Sequence, residues 1–432
     1  MSVPAHMLGR TFFTRKTQPM STATPPKGTG PLEKREARLA WSLLLPTISI
    51  VSLVVVLPLL AIFWISFKPI GLADLRPPAP ILRESLRGSG EEMRVEYRLR
   101  NSSQEVEVTG VTIRDTFPES LVIIGDLPEG CALDGRAFTC DLGTLEPGYN
   151  ERLRVPVMLA DGVDEDTAED AAEGSKPRVT GRGTSILTNS EFTLGNFVRI
   201  FDGDQFWSVM WATLFYTVFG TIGAIVMGLF AALLLNKSFR GQGILRGLYL
   251  FPYVAPVIAV AFTWVNLFDP FSGSANALLL QMGVTSEAIN FFGQRPLALI
   301  MVTVFEIWRY FPLSFLFILA RMQSIDSDMY EAADMDGASP FQKFWYLSLP
   351  MLLGILSVLF LLRFIWTFNK FDDIFLLTGG NAGTRTLTVN VYEQAFAIAN
   401  IGAGAAVAVI IFGCLILFSL FFFKFVSREE GL

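Results

Sequence analysis

Runs of apolar residues set the frame of the chain. Roughly 41–67, 207–235, 247–268, 296–320, 351–377 and 403–426 are apolar over lengths that suit a bilayer, which a helix crosses in about 20 residues. The pattern predicts six transmembrane helices. Between the first and second lies a long stretch of different composition. The boundaries read as a tail at 1–40, a span at 41–68, an inserted domain with its linker at 69–195, and a five-span core at 196–432. Basic residues gather in alternate connections: Lys237, Arg240 and Arg246, then Arg321 and Lys343, then Lys424 and Arg428. With a basic tail (Arg10, Arg15, Lys16, Lys27, Lys34, Arg35 and Arg38), they place both termini in the cytoplasm and the inserted domain outside.

The tail has the composition of a signal-peptide n-region. The apolar stretch behind it is too long and lacks a small-residue cleavage site, so it reads as a retained span. Thr22 to Pro31 is rich in Pro, Gly and Thr and reads as disordered. Met1 and Met20 both fit as the start. Within 69–195, Met93–Leu99 and Val106–Val108 alternate polar and apolar, and Leu121–Ile124 and Glu151–Leu159 add further strand candidates. Cys131 and Cys140 flank Asp134-Gly135, a hairpin signal. Outside the cytoplasm a disulfide between them fits, worth about 2–3 kcal/mol for so small a loop; two free thiols are the alternative. Residues 161–185 are acidic and irregular and read as a linker. The run from Val111 to Leu121, followed by Phe138 to Gly148, resembles an immunoglobulin-like repeat common in bacterial surface proteins.

A polar island, Tyr330 to Pro350, separates the fourth and fifth of the six apolar runs. Glu331-Ala332-Ala333 opens a short helix that Gly337 can end by taking a positive φ. Ser339-Pro340 then suits the N-cap and first position of a second helix. This stretch resembles the EAA loop of binding-protein-dependent ABC importers: Glu331-Ala332-Ala333, Gly337, Leu347 and Leu349-Pro350 fall at the family's spacing, with leucine for the commoner isoleucine at 347. The resemblance implies a knob that docks into a separate ATPase subunit. Glu331 would pair with a basic residue there, Ala332 and Ala333 would permit close approach, and Gly337 would set the turn. Phe341 and Phe344 are candidate apolar anchors, with packing on the chain's own span ends as the alternative.

The resemblance narrows further. Phe371-Asp-Asp-Ile-Phe-Leu-Leu-Thr-Gly-Gly and Thr386 to Phe396 are similar to a stretch of carbohydrate-importer permeases, closest to the larger permease of maltose-type transporters. Gly354 stands where many of those have a second proline. The implied fold class is an all-α polytopic membrane protein, a six-helix type I ABC importer permease, with an inserted all-β immunoglobulin-like extracytoplasmic domain. The implied partners are a second permease, two copies of an ABC ATPase that bind the ATP and Mg, and an extracytoplasmic sugar-binding protein. The implied setting is the bacterial inner membrane, and an α-glucoside or other oligosaccharide is the implied cargo.

Ionisable residues within spans mark a candidate path, because each costs about 2.5–3.5 kcal/mol at the bilayer centre. Arg363, Trp366, Thr367 and Lys370 recur at i, i+3, i+4 and i+7, with Asp373 continuing that face. Thr303, Glu306, Arg309 and Tyr310 do the same one run earlier, beside Pro312. Hydrogen-bonding groups and aromatic rings together suit a sugar. Glu306, Tyr310, Trp366, Thr367 and Lys370 are therefore the expected substrate-path residues. The alternative is structural, with Arg363 pairing Glu306 and Lys370 pairing Asp373. Trp264 and Trp308 read as interfacial belt residues. Pro252 and Pro256 predict a kink, Asn266 and Asp269 a helix end, and Cys414 a small apolar filler. Gly402, Ala403, Gly404, Ala405 and Ala406 form a small-residue face.

Charge and composition exclude more than they add. A net charge of −6 gives no reason to expect nucleic acid, and the single histidine, His6, lies in the tail. No phosphate loop of the Gly-x-x-x-x-Gly-Lys-Ser/Thr type occurs, so no cofactor is expected in this chain. A permease for another solute, such as an amino acid or polyamine, fits the loop equally. A membrane receptor and a membrane enzyme fit less well, since few residues follow the last span and no nucleophile–base set appears.

Overall fold

The computed structural model describes residues 30–425. His6, Met20, the basic residues before Gly30 and Arg428 lie outside the described residues. The described residues divide into two units, one before Leu60 and one from Leu60 onward. In the first, α1 (Pro31–Val51) begins with Pro31 in its first turn and contains Pro46. A π-helical stretch, Ser52–Val56, leads to α2 (Leu57–Ser66). Pro58 has no N–H for the carbonyl four residues back, and a local π register absorbs that defect. Lys34–Ser66 is apolar and long enough to cross a bilayer.

The inserted domain is built from eight strands: β1 (Pro80–Arg87), β2 (Arg94–Asn101), β3 (Val108–Thr116), β4 (Leu121–Ile123), β5 (Cys131–Asp134), β6 (Ala137–Leu145), β7 (Asn150–Leu159) and β8 (Arg178–Arg182). They form two antiparallel sheets, β1-β2-β7-β4 and β5-β6-β3-β8. Alternation turns Val95, Tyr97 and Leu99 of one sheet and Val111, Ile113 and Phe138 of the other into a shared core, all fully buried. Tyr97 donates a buried hydrogen bond to the Asp115 carboxylate across the sheets and stacks on Phe138 at 5.4 Å. Cys131 lies opposite Cys140 in the hairpin register, and their sulfurs are bonded at 1.98 Å.

The segment 161–185, expected as an irregular linker, is structured. It contains α3 (Glu165–Gly174) and β8, which pairs with β3. Ala168 and Ala172, four apart on one helical face, are completely buried in the domain core. The acidic residues on the other faces stay in solvent, so composition alone hid the helix.

The domain's two connections to the helical part run side by side. Lys68 is completely buried, and its ammonium donates to the carbonyls of Asn189 and Glu191, both at 2.6 Å, and to Asn189 Oδ1 at 2.8 Å. Asn196 Nδ2 donates to the carbonyls of Ser66 and Lys68 at 3.0 and 2.8 Å.

The helical part continues with α4 (Gly195–Phe201), α5 (Phe206–Leu235), α6 (Gln242–Val254), α7 (Val257–Leu267), α8 (Ser274–Gln281) and α9 (Leu297–Gln323). Then come α10 (Ser327–Met335), α11 (Pro340–Lys343), α12 (Leu349–Phe368), α13 (Asp372–Thr378), α14 (Leu387–Tyr392) and α15 (Ile401–Phe425). Among the described residues, five helices are long and apolar enough to cross a membrane. A further pair, α6 and α7, meets that test together but is bent by 90° at Ala255-Pro256.

Helices α5 and α9 pack along a glycine seam. A Cβ on Gly220 would lie 2.9 Å from Glu306 Cγ, one on Gly223 2.3 Å from Ile307 Cδ1, and one on Gly228 2.6 Å from Ser314 Cβ. Small residues let the helix backbones approach where no water drives them together. The small face of α15 is used too: Gly402 lies against the Lys68 carbonyl, where a Cβ would approach to 2.3 Å. Trp264 and Trp308 pack together within the bundle. They are half-buried, 5.4 Å apart, and Trp264 meets Phe305 edge-on at 5.1 Å. Asp269 ends its helix as a turn cap, its Oδ1 accepting from the backbone of Phe271 and Ser272.

The β domain carries a pH-dependent element. Burial pushes the Glu84 carboxyl from 4.5 up to about 7, against the opposing hydrogen bond from Ser175, with the Asp115 charge adding to the rise. A carboxyl raised on folding stabilises fully below its unfolded value and loses that contribution as pH rises through its folded value. The temperature at which protease cuts β1 in the purified chain should therefore fall between pH 4.5 and pH 8. Glu84→Gln should flatten that slope.

Candidate functional site

The site begins with a carboxylate in an apolar bundle. Glu306 of α9 is completely buried. Arg363 of α12 donates to its Oε1 at 2.7 Å and Thr367, one turn on, at 2.9 Å. Tyr216 of α5 donates to Oε2 at 2.9 Å. Three helices thus converge on one side chain. A charge so deep is tolerated only when paired and hydrogen-bonded.

Arg309, nearly one turn further along α9, repeats the arrangement with carbonyls. Its Nη1 and Nη2 donate to Pro252 O at 3.1 Å and Ala255 O at 3.0 Å, at the break between α6 and α7. Its Nε lies 4.0 Å from Asp373 Oδ1, and Lys370 Nζ lies 3.9 Å from Asp373 Oδ2. The ring of Tyr310 is flanked by three cations, with Lys370 Nζ 4.3 Å, Arg363 Cζ 4.9 Å and Arg309 Cζ 5.6 Å from its centroid. Cations favour an aromatic face at such distances.

Beside this network lies a cavity of about 250 Å³, lined by Tyr253, Glu306, Tyr310, Leu313, Arg363, Trp366, Thr367 and Lys370. All five expected path residues are on its wall. Trp366 is half exposed, and Tyr253 meets Tyr310 edge-on at 6.1 Å. The wall offers ammonium and guanidinium donors, a phenol and two aromatic faces.

One expectation fails in its reasoning. Residues 351–377 are not one helix: α12 ends at Phe368, and α13 begins at Asp372. Lys370 reaches the cavity from the intervening turn, not from the seventh position of a continuous helical face. Asn369 Nδ2 caps the α12 end at Ile365 O, 2.8 Å away, and the paired carboxylates of Asp372 and Asp373 favour a new helix start. Tyr216 and Tyr253 were missed. Their sequence signal is slight: a hydroxyl within the apolar run of α5 and an aromatic residue just after Pro252.

The second feature is the knob between α9 and α12. Asp326 caps α10 by accepting from Asp328 N at 3.2 Å. Gly337 takes φ +76°, and the chain reverses. Ser339 and Gln342 form a reciprocal capping box on α11, at 3.3 and 2.8 Å. Lys343 pairs with Asp334 across the turn, and Tyr330 bonds Ser348 at 2.9 Å. Glu331 and Ala332 are exposed and Ala333 half-buried. Phe341 is 71% exposed and Tyr346 78%, whereas Phe344 is half-buried against Trp345. The knob is therefore capped at both helix starts and apolar at its tip.

Residues 224–429 match the family described as "Binding-protein-dependent transport system inner membrane component". The chain is 37% identical over 226 residues to the inner membrane ABC transporter permease protein YcjO of Escherichia coli (strain K12), covering 51% of this chain and 74% of that one. It is 31% identical over 245 residues to the trehalose/maltose transport system permease protein MalF of Thermococcus litoralis, covering 56% and 82%. A solved bacterial ABC transporter involved in the import of the acidic polysaccharide alginate superposes with a TM-score of 0.52 at 20% identity, over 56% of this chain and 85% of that one. That likeness is one of fold.

Breaking the buried pair should be costly. Glu306→Ala strands the Arg363 charge and should destabilise the detergent-purified chain by about 3–5 kcal/mol. Adding Arg363→Met should recover most of the lost melting temperature.

Proposed function

The chain belongs to the family of binding-protein-dependent transport system inner membrane components, and we propose that it is the permease subunit of an ATP-driven importer that carries a sugar into the cytoplasm. Its relatives include permease proteins named for trehalose and maltose transport. The observation that carries the sugar reading is the 250 Å³ cavity within the helical core, where Trp366 and Tyr253 offer ring faces and Lys370, Arg363 and Tyr310 offer donors. Sugars present apolar ring faces and dense hydroxyls, and this wall meets both.

In this reading the bent pair α6 and α7 is the sixth span, both termini are cytoplasmic, and the β domain, an immunoglobulin-like sandwich, stands outside the inner membrane. The knob at Ser327–Lys343 faces the cytoplasm. An ABC ATPase present in two copies holds the ATP and Mg, and this chain carries no cofactor. A second permease completes the cavity, and an extracytoplasmic binding protein delivers the sugar. Closure of the ATPases moves the knob, and the cavity alternates between the two sides. Glu331 pairs with a cation on the ATPase, and Phe341, exposed at the tip, fills an apolar groove.

Two experiments test the reading. Tagged chain purified in mild detergent should bring an ATPase and a second permease, and Glu331→Arg or Gly337→Pro should lose the ATPase while keeping the permease. Recovery of the chain alone would refute the assignment. In the reconstituted complex, Trp366→Ala should lower sugar uptake at least 10-fold with little change in melting temperature.

A further inference from the structure

The face of sheet β1-β2-β7-β4 turned away from the domain core is an arginine surface. Alternation sends Leu86 of β1 and Val95, Tyr97 and Leu99 of β2 inward. The positions between carry Arg83 and Arg87 on β1, Arg94, Arg98 and Arg100 on β2, and Arg152 and Arg154 on β7. Seven guanidiniums thus share one face of three adjacent strands, in a chain whose net charge is −6.

Glu96 is the carboxylate at those outward positions. It is engaged by Arg94 at 3.0 Å, Arg152 at 3.4 Å and Arg154 at 3.5 Å. Among the described residues, Arg83, Arg87, Arg98 and Arg100 pair with no carboxylate; Arg98 donates to Asn150 Oδ1 at 3.1 Å. The register sets Arg83 opposite Arg98, Arg98 opposite Arg152, and Arg87 opposite Arg94. Like charges directly opposite on a sheet destabilise it. The sequence thus holds a repulsive arrangement that an anionic ligand would relieve.

The cation type is uniform. No lysine occurs between Lys68 and Lys176, so every cation of these strands is an arginine. Arginine presents a planar fork that grips carboxylates at two points, where lysine offers a point charge. The spacing is regular, about 4.8 Å between strands and about 6.7 Å between alternate residues along one strand. Arg83, Arg98 and Arg100 surround a cavity of about 150 Å³ against Ile81.

We propose that this face binds an acidic glycan, a chain of sugars that carry carboxylates at regular intervals. The forks hold successive carboxylates, and Ile81 receives the apolar face of one ring in the cavity. The site is separate from the path through the helical core, and its test does not depend on transport.

The full chain, purified in neutral detergent, would be titrated calorimetrically with an oligogalacturonate of about ten sugars. Binding should weaken as salt rises from low to physiological strength, because the contacts are charge pairs. A malto-oligosaccharide of equal length should bind at least 10-fold more weakly. Arg83→Gln/Arg98→Gln/Arg100→Gln should weaken binding at least 10-fold, and the corresponding triple lysine variant should fall between it and the parent. Arg114→Gln, on the other sheet, should leave binding unchanged. Equal binding of the neutral glucan, an unaffected glutamine triple, or equal loss on Arg114→Gln would overturn the proposal. Tighter binding of a decaglutamate peptide would overturn it in favour of an acidic protein partner.

Discussion

One buried carboxylate governs the architecture of the helical core. Glu306 has no access to water, so every lone pair it presents must be met by protein. Arg363 and Thr367 from α12 and Tyr216 from α5 meet them. That requirement fixes the rotation of three helices about their axes. It also explains Gly220, whose missing Cβ leaves room for the Glu306 side chain at the closest approach of α5 and α9. Arg309 extends the constraint to the broken pair α6 and α7 by holding two carbonyls there. The cavity is the space left beside groups that had to converge for electrostatic reasons.

The same logic divides what could be read in the sequence from what could not. The core spans follow from apolar run length, and α5, α9 and α15 begin and end within a few residues of their expected bounds. The knob was legible because its signals are local: a glycine for positive φ, a serine cap, a proline in the first turn. Four of the five path residues share a wall because in-span polar groups have few places to go, and Lys370 joins them from the turn after α12. What stayed hidden depends on tertiary contact. The end of α12 at Phe368 is marked by no glycine or proline anywhere from Ile355 to Thr378. Ala168 and Ala172 look like filler in an acidic stretch until a core is placed beside them. Tyr216 gains meaning only from the carboxylate on another helix.

The β domain obeys different rules from the bundle. Its core is made by water, with Val95, Leu99, Ile113 and Phe138 closed between two sheets. Its outer faces are free to vary, and one has become densely cationic. The bundle has no such freedom, since its exposed surfaces meet lipid and its polar groups must be satisfied internally.

The joint between the two parts has a consequence for how such a chain can evolve. Thr193 N bonds Phe67 O at 2.8 Å, Trp64 Nε1 bonds Leu187 O at 3.0 Å, and the Lys68 ammonium ties the departing strand of chain to the returning one. Everything from Lys68 to Leu187 therefore leaves and re-enters at a single stitched seam. To the bundle, that length is a cassette: its ends are adjacent whatever lies between them. The seam also reaches the helices, because Gly402 N donates to Ile70 O at 2.9 Å and Leu72 N to Ala399 O at 2.7 Å, so the first residues of the cassette stay tied to the bundle whatever length lies beyond them.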